Sequence, residues 1–245
     1  MGKADLHIHT SSSDGMFSGA ELLEYVESQT DLDVIAVTEH DDVAGAMQVR
    51  ERWAKGSHRF QVVTGVEVTT IEGHLLALFI EDPVPSLRPL RETIDAVKRQ
   101  GGICIVPHPF TWLARGISDR HIRHAKDGLD GIEVMNSTPA GRRGRTGARR
   151  LAAELGLAEA GGSDAHFLGA VGTGYTHFPG STPTELRNAI ALLQTRGVSG
   201  RHPSLTDLGL GTVVRQTYRG ITSTPRALGW GPTAWSFVRR IVAVR

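Results

Sequence analysis

The sequence predicts an α/β protein built as a barrel of about seven strands, and three observations lead there. Strand-like and helix-like segments alternate from the first residue to about residue 200, the pattern of a mostly parallel sheet covered by helices. A length of 245 residues suits one large α/β barrel with a substantial core. The apolar runs also end repeatedly in a histidine or an acid, which is where barrel strands present their chemistry.

Taken in order, the first strand is expected near 4–8, where Lys3-Ala4-Asp5-Leu6 closes in His7-Ile8-His9. Ser18 and Glu21 form a capping box that opens a helix ending near Ser28. The run Asp33 to Thr38 is the second strand and leads into His40, followed by a helical pattern near 43–53. Strands near 61–67 and 74–80 carry Glu67 at the end of one and His74 at the start of the other. A helix near 86–99 is stopped by Gly101, and a strand near 102–107 delivers His108. A helix near 118–126 precedes the strand near 131–135, and a helix near 145–155 ends at Gly156. The strand near 158–162 runs into Asp164 and His166. A second capping box, Thr182 with Glu185 and with Pro183 at the first helical position, opens a last helix ending before Gly197.

Composition narrows the function. A formal net charge of +1 and a charged fraction of 22% describe an ordinary soluble protein without the global basic excess of a nucleic-acid binder. Cys104 is the only cysteine, so neither an intrachain disulfide nor a thiolate-rich zinc site can form, and a reducing cytoplasm fits best. Met1-Gly2-Lys3 leads directly into the first strand, with no signal-peptide pattern and no run long enough to span a bilayer.

The barrel pattern is complete by about residue 200, which divides the chain into a barrel, 1–200, and a basic C-terminal extension, 201–245. The extension holds seven arginines and one acid, Asp207, with Trp230, Trp235 and Phe237 interleaved. It is expected to pack on the outer face of the barrel with solvated arginines. The alternative is a peripheral contact with acidic lipid, nucleic acid or a partner protein.

Nine residues form the candidate constellation: His7, His9, Asp14, His40, Glu67, His74, His108, Asp164 and His166. Residues two apart on a strand point the same way, so His7 and His9 can grip one ion together, as can Asp164 and His166 if the chain curls around it. All nine offer imidazole nitrogen or carboxylate oxygen, which suits Zn²⁺, Mn²⁺ or Fe²⁺. Nine ligands are too many for one ion and enough for two or three, since a carboxylate such as Glu67 can bridge two metals. His58, His121, His124, His177 and His202 lack such context and read as surface or packing residues.

His7-Ile8-His9-Thr10 with Ser13-Asp14-Gly15, then Thr38-Glu39-His40-Asp41, Gly65-Val66-Glu67, Pro107-His108-Pro109 and Gly162-Ser163-Asp164-Ala165-His166 resemble the ordered motifs of the PHP (polymerase and histidinol phosphatase) family. The resemblance covers about residues 1–180. It implies a distorted, TIM-like (β/α)7 barrel with up to three metals that hydrolyses phosphate esters. Carried over by position, one ion would take His7, His9, Glu67 and Asp164. A second would share Glu67 and add His74 and His108, and a third would take Asp14, His40 and His166. His74, in Gly73-His74-Leu75-Leu76, matches the subgroup acting on small phosphoesters and nucleotides. Two departures stand out: Glu39 occupies a position where Asp is commoner, and the stretch from Gly141 to Gly147 is rich in Arg and Gly.

Phosphate recognition is expected from the loops after two strands. Arg115 follows His108-Pro109-Phe110, and Asn136 with Arg142, Arg143 and Arg145 follows Gly131-Ile132-Glu133-Val134. Guanidinium groups there could hold phosphate oxygens in a bidentate grip, and the loop position of Asn136 matches the family.

The expected chemistry is a hydroxide formed at neutral pH between two metals bridged by Glu67 and attacking phosphorus in line. Asp164, His166 or a water on the cluster would protonate the leaving group. The leading reading is a small-molecule or nucleotide phosphatase or phosphodiesterase. A nuclease acting on short single strands is the second, favoured by the Arg-rich loop and tail but lacking an evident stacking platform. A non-catalytic, metal-stabilised binding module is the third.

Overall fold

The computed structural model describes residues 1–111, 114–142, 144–200, 211, 214–216 and 218. Arg143, His202, Trp230, Trp235 and Phe237, and nearly all of the basic extension, lie outside the described residues.

All seven expected strands are present, and two more follow them. The strands are β1 (Gly2–Asp5), β2 (Val34–His40), β3 (Gln61–Thr69), β4 (His74–Leu78), β5 (Ile103–Val106), β6 (Gly131–Asn136), β7 (Ala158–Gly162), β8 (Gly174–Phe178) and β9 (Arg196–Ser199). They form one sheet in the order β7-β6-β5-β4-β3-β2-β1-β8-β9. The pairs β1–β2, β2–β3, β5–β6 and β6–β7 are parallel, whereas β4 runs antiparallel to both its neighbours and β8 to both of its own. The antiparallel β4 follows from the short connection Thr70 to Gly73, since a parallel strand would need a crossover of a dozen or more residues.

The sheet curls into a nearly closed barrel. Its two ends approach where Gly161 of β7 donates its N–H to Thr176 Oγ1 of β8 at 2.8 Å. That approach needs residues without side chains, because a Cβ on Gly161 would lie 2.3 Å from the Tyr175 carbonyl oxygen and one on Gly174 as close to that of Gly162. Gly161→Ala is therefore expected to lower stability by about 1–3 kcal/mol, read as a shift in denaturant midpoint at unchanged slope.

The helices are α1 (Gly19–Gln29), α2 (Ala44–Ala54), α3 (Leu90–Arg99), α4 (Asp119–Ala125), α5 (Pro139–Arg142), α6 (Arg145–Leu155) and α7 (Pro183–Ala191). Both capping boxes are formed: Glu21 N–H donates to Ser18 Oγ at 3.3 Å, Glu185 N–H to Thr182 Oγ1 at 3.3 Å, and each glutamate accepts back from the cap N–H. A cap of this kind contributes about 1 kcal/mol. Gly156 ends α6 in the left-handed region, φ 66°, as expected of a C-terminal stop.

One helix boundary differs from expectation. The third helix starts at Leu90, not near 86, because Pro89 disfavours helical geometry in the residue before it. The preceding segment bonds to the β3–β4 connection instead, Leu87 N–H to Thr69 O at 2.7 Å and Ile71 N–H to Arg88 O at 3.0 Å. The last helix ends at Ala191, and Gly197 belongs to β9.

Alternation along the strands sorts the core into three layers. Ala4, Val34, Ala36, Val63, Leu76, Leu78, Ile105, Ala158 and Ala160 fill the barrel, and Leu186, Ala189 and Ile190 of α7 pack against them at its base. Ile35, Val37 and Val62 face α1 and α2, while Val66, Leu75, Val106 and Ile132 face α3, α4 and α6. Cys104 belongs to this last layer, and burial pushes its thiol up to about 12. Among the described residues no helix is long and apolar enough to cross a membrane.

Candidate metal centre

The inward-facing positions that are apolar deep in the barrel become ligand types at its open end. On β2 the series Val34, Ala36 reaches His40, on β3 Val63 reaches Glu67, and on β4 Leu78 and Leu76 lead back to His74. The β2–β3 register pairs His40 directly with Glu67. His7 and His9 arrive differently from expectation, since β1 ends at Asp5. Ala4 and Leu6 face the lumen while Ile8 faces the α1–α2 layer, so the alternation shifts by one residue at Asp5–His7. Asp5 holds that shift: its carboxylate accepts from the N–H groups of His7 at 3.4 Å, Ser163 at 2.8 Å and Gly172 at 2.8 Å. Burial raises the Asp5 carboxyl to about 6 against these bonds. A parallel bridge between Ile8 and Ala165 then joins the segment carrying His7 and His9 to the one carrying Asp164 and His166.

All nine residues of the constellation converge. Glu67 Oε2 lies 3.4 Å from His7 Nε2, 3.4 Å from His9 Nε2 and 3.2 Å from His40 Nδ1. Its other oxygen, Oε1, lies 2.9 Å from both His74 Nδ1 and His108 Nε2. Asp164 Oδ1 stands 3.6 Å from His7 Nε2 and 3.4 Å from His9 Nε2. Asp14 Oδ1 lies 3.2 Å from His166 Nε2 and 3.7 Å from His40 Nε2.

These separations suit a shared cation. Two ligands about 2.1 Å from one tetrahedral ion lie about 3.4 Å apart. Four groups of atoms are close enough to hold an ion: His7, His9 and Glu67; His40, Glu67 and His74; His7, His108 and Asp164; and His9, Asp14, His40 and His166. The groups share members more than the resemblance implies, with His9 and His40 each standing between two of them.

The nitrogens themselves test the fit. Among the described residues, His7 Nε2, both nitrogens of His9, His40 Nδ1, His74 Nε2 and His108 Nδ1 are buried without a hydrogen-bond partner. Buried polar atoms are ordinarily satisfied, so this many orphaned imidazole nitrogens around two carboxylates fit a site for cations. The donor set contains no thiolate among the described residues, which favours borderline divalent metals.

Electrostatics sharpen this. Burial opposes the charge of Glu67 and Asp164, yet His74, His7 and His40 hold the Glu67 carboxyl well below its usual range, and His7 chiefly does the same for Asp164. Burial pulls His7, His108 and His166 down, but facing carboxylates override it and raise all three, His166 to about 9 beside Asp14. His9, desolvated and next to His40 and His166, is lowered to about 4.

Strain accompanies the site. His108 at φ 28° and Asp164 at φ 53° lie in the left-handed region, a cost of order 1–3 kcal/mol each for residues held by their surroundings. Glu39, buried on the α2 side of β2, offers no atom to the four groups. It accepts from Thr10 N–H at 3.0 Å and from the hydroxyls of Thr10 and Ser13, which holds the loop bearing Asp14.

The expected phosphate contacts are placed less simply. Asn136 is buried; its Nδ2 donates to Glu133 Oε2 at 2.9 Å and Asp164 Oδ2 at 3.2 Å, and its Oδ1 accepts from Thr138. Its amide is thus engaged within the protein. Arg142 is exposed at the end of α5, and Arg115, at φ 52°, contributes its carbonyl to His74 N–H at 2.9 Å. Arg145 instead ties down the loop through Nε and Nη2 to the Asn136 carbonyl.

Sequence reasoning passed over two buried acids that touch the cluster, Asp5 and Glu133. Asp5 ends β1 between Ala4 and Leu6, and Glu133 lies within β6 between Ile132 and Val134; a carboxylate among apolar neighbours needs a partner, and that misplaced charge is the signal that could have found them.

A family model described as PHP-associated matches residues 144–195. An uncharacterised protein of Methanocaldococcus jannaschii is 32% identical over 145 residues, 55% of this chain and 82% of that protein. The 5'-3' exoribonuclease Rnm of Salmonella typhimurium is 31% identical over 88 residues, 34% of this chain and 30% of that protein. A phosphoribosyl 1,2-cyclic phosphate 1,2-diphosphodiesterase of Eggerthella lenta is 34% identical over 92 residues, 35% of this chain and 34% of that protein. Among solved structures, a two-domain protein of Bacteroides vulgatus containing a predicted PHP-like metal-dependent phosphoesterase superposes with a TM-score of 0.68 at 19% identity, covering 89% of this chain and 69% of that one. At that identity the likeness speaks for the fold alone.

Proposed function

We propose that this chain, a member of the PHP family, is a hydrolase acting on phosphate ester bonds that cleaves a small phosphorylated molecule or nucleotide with two or three divalent transition-metal ions, Mn, Zn or Fe. The observation that carries this reading is Glu67, whose two oxygens face separate histidine groups, His7, His9 and His40 on one side and His74 and His108 on the other. A carboxylate so placed is built to be shared between cations. His7, His9, Asp14, His40, Glu67, His74, His108, Asp164 and His166 would hold the ions, which when bound supply a nucleophile from water at neutral pH and neutralise charge developing on phosphoryl oxygens.

The side chains themselves define the direction of approach. His7, His9 and Glu67 are sealed into the floor, whereas His40, His74, Asp164 and His166 are 9–15% exposed and rim the open face. Substrate enters there. Of the two acid candidates on that rim, His166 is the one placed to hand a proton to the leaving oxygen, since His7 chiefly holds the Asp164 carboxyl ionised. His166 is oriented by its Nδ1 donating to the Asp164 carbonyl at 3.0 Å and its Nε2 facing Asp14.

The diphosphodiesterase relative supports a small-molecule substrate. The exoribonuclease relative supports a second reading, a nuclease acting on short single strands, together with the arginines at 142, 143 and 145. Purified, Mn²⁺-loaded protein screened against phosphomonoesters, phosphodiesters and short oligonucleotides separates them. Turnover of a mono- or diester well above that of oligonucleotides is expected. Exonucleolytic release of nucleotides as the dominant activity would replace the first reading with the second. Binding without chelator-sensitive turnover of any substrate would leave a metal-stabilised binding module.

A further inference from the structure

Glu133 lies on β6, is 2% exposed, and offers no atom to any of the four cation-holding groups among the described residues. It nonetheless contacts two members of one of those groups and reaches the third through Asn136. Its Oε1 is 3.2 Å from His7 Nδ1, and its Oε2 accepts from the His108 backbone N–H at 2.7 Å and from Asn136 Nδ2 at 2.9 Å. The same Asn136 amide reaches Asp164 Oδ2 at 3.2 Å. His7, His108 and Asp164 are together one of the four groups. The room for this arrangement comes from Gly162, where a Cβ would lie 2.6 Å from Glu133 Oε1 and 2.5 Å from the His7 Cβ.

We propose that Glu133, acting with Asn136, is a positioning residue that sets the tautomer of His7 and pre-assembles the His7–His108–Asp164 position for a divalent metal. This inference rests on the metal-centre reading above. A carboxylate accepting at Nδ1 keeps the proton there and leaves the Nε2 lone pair free, and Nε2 is the atom aimed at Glu67 Oε2 and Asp164 Oδ1. The backbone bond to His108 helps hold that residue at φ 28°, a conformation that needs support from its surroundings. The Asn136 link sets which oxygen of Asp164 is spent on the protein, leaving Oδ1 toward His7 and His9.

Every partner of Glu133 is a donor: the His7 ring N–H, the His108 backbone N–H and the Asn136 amide. Glu133→Gln keeps the volume but offers one accepting oxygen and one NH₂. With that oxygen turned to His108 and Asn136, the NH₂ faces His7 and favours the tautomer protonated at Nε2, which cannot bind a cation. Metal titration of apo-protein with Zn²⁺, followed by calorimetry and by elemental analysis after dialysis, reads the result. In Glu133→Gln one metal equivalent should bind about 10–100-fold more weakly, with thermal unfolding little changed, and ¹⁵N NMR of the Zn²⁺-loaded protein should show the wild-type His7 protonated at Nδ1 and the variant not. A purely structural role would move the unfolding temperature without that change of tautomer. Equal metal binding, within threefold at every step, with Nδ1 of His7 still protonated would overturn the proposal. Should the variant unfold, Asn136→Ala, which frees Asp164 but leaves the Glu133–His7 pair, is expected to weaken the same equivalent, and unchanged binding there overturns the proposal equally. A wild type that binds no divalent ion would refute the metal centre itself, a different outcome from a wild type and variant that bind alike.

Discussion

Glu67→Gln should abolish phosphoester hydrolysis, lowering kcat/KM by on the order of 10²–10³-fold or more, while the protein stays folded. The side chain is 1% exposed and has five histidines within 3.4 Å of its two oxygens. An amide fills the same space, yet it presents a single accepting oxygen. Whichever way it turns, an NH₂ then faces either His7, His9 and His40 or His74 and His108, and the group can no longer neutralise or bridge cations. Circular dichroism and the unfolding temperature establish that the fold survives, and steady-state kinetics on the best substrate from the screen read the loss. Wild-type turnover in this variant would remove Glu67 from the mechanism. His58→Ala is the matched control. His58 stacks on Trp53 and lies tilted against Phe60, with Nδ1 3.7 Å from Glu27, and takes no part in the cluster, so kcat/KM of the variant should stay within about twofold of wild type.

Removing the metal should have an effect of the same size, and its pH dependence has a definite sign. Protein stripped with chelator should lose activity and regain it with Mn²⁺ or Zn²⁺, taking up two or three equivalents per chain. A stoichiometry of one or less, unchanged by added metal, would sink the multinuclear centre. In the metal-free cluster the facing carboxylates raise His7, His108 and His166, the last to about 9 beside Asp14. Below that pH the imidazole binds a proton that a cation must expel, so loading releases protons and apparent affinity falls as pH falls. Calorimetry in buffers of different ionisation enthalpy measures the release directly. Affinity that is flat from pH 6 to 8 would contradict this coupling.

The depth to which the sequence could be read differs by element. The capping boxes at Ser18 and Thr182 and the stop at Gly156 were legible because each depends on bonds among residues three or four apart. The strands that carry or lead into His40, Glu67 and His108 were legible because their apolar runs are followed by ligand types. β8 and β9 were not, since Gly174–Phe178 and Arg196–Ser199 have no such ligand at their ends and acquire their meaning from the strands they lie against. The start of α3 was misread because a helical apolar spacing continues back through residues that Pro89 and the bonds to the β3–β4 connection hold outside the helix.

The candidate site divides along the same line. Its nine members could be named from residue type and position, since imidazoles and carboxylates at the ends of apolar strands have few other uses together. Their sharing could not. That Glu67 turns one oxygen to His74 and the other to His40, that His9 stands between two groups, and that Asn136 faces inward to Asp164 all depend on side-chain directions set by register and by the shift of alternation at Asp5. The sequence by itself determined the local helices, the main strands and the inventory of ligands, because those follow from short-range bonding and the period of apolar residues. Only the tertiary structure decided how the barrel closes through Gly161 and Gly174 and which buried acid orients which histidine, because contacts between residues more than a hundred positions apart, such as His7 with Glu133, are created by packing and leave no periodic trace along the chain.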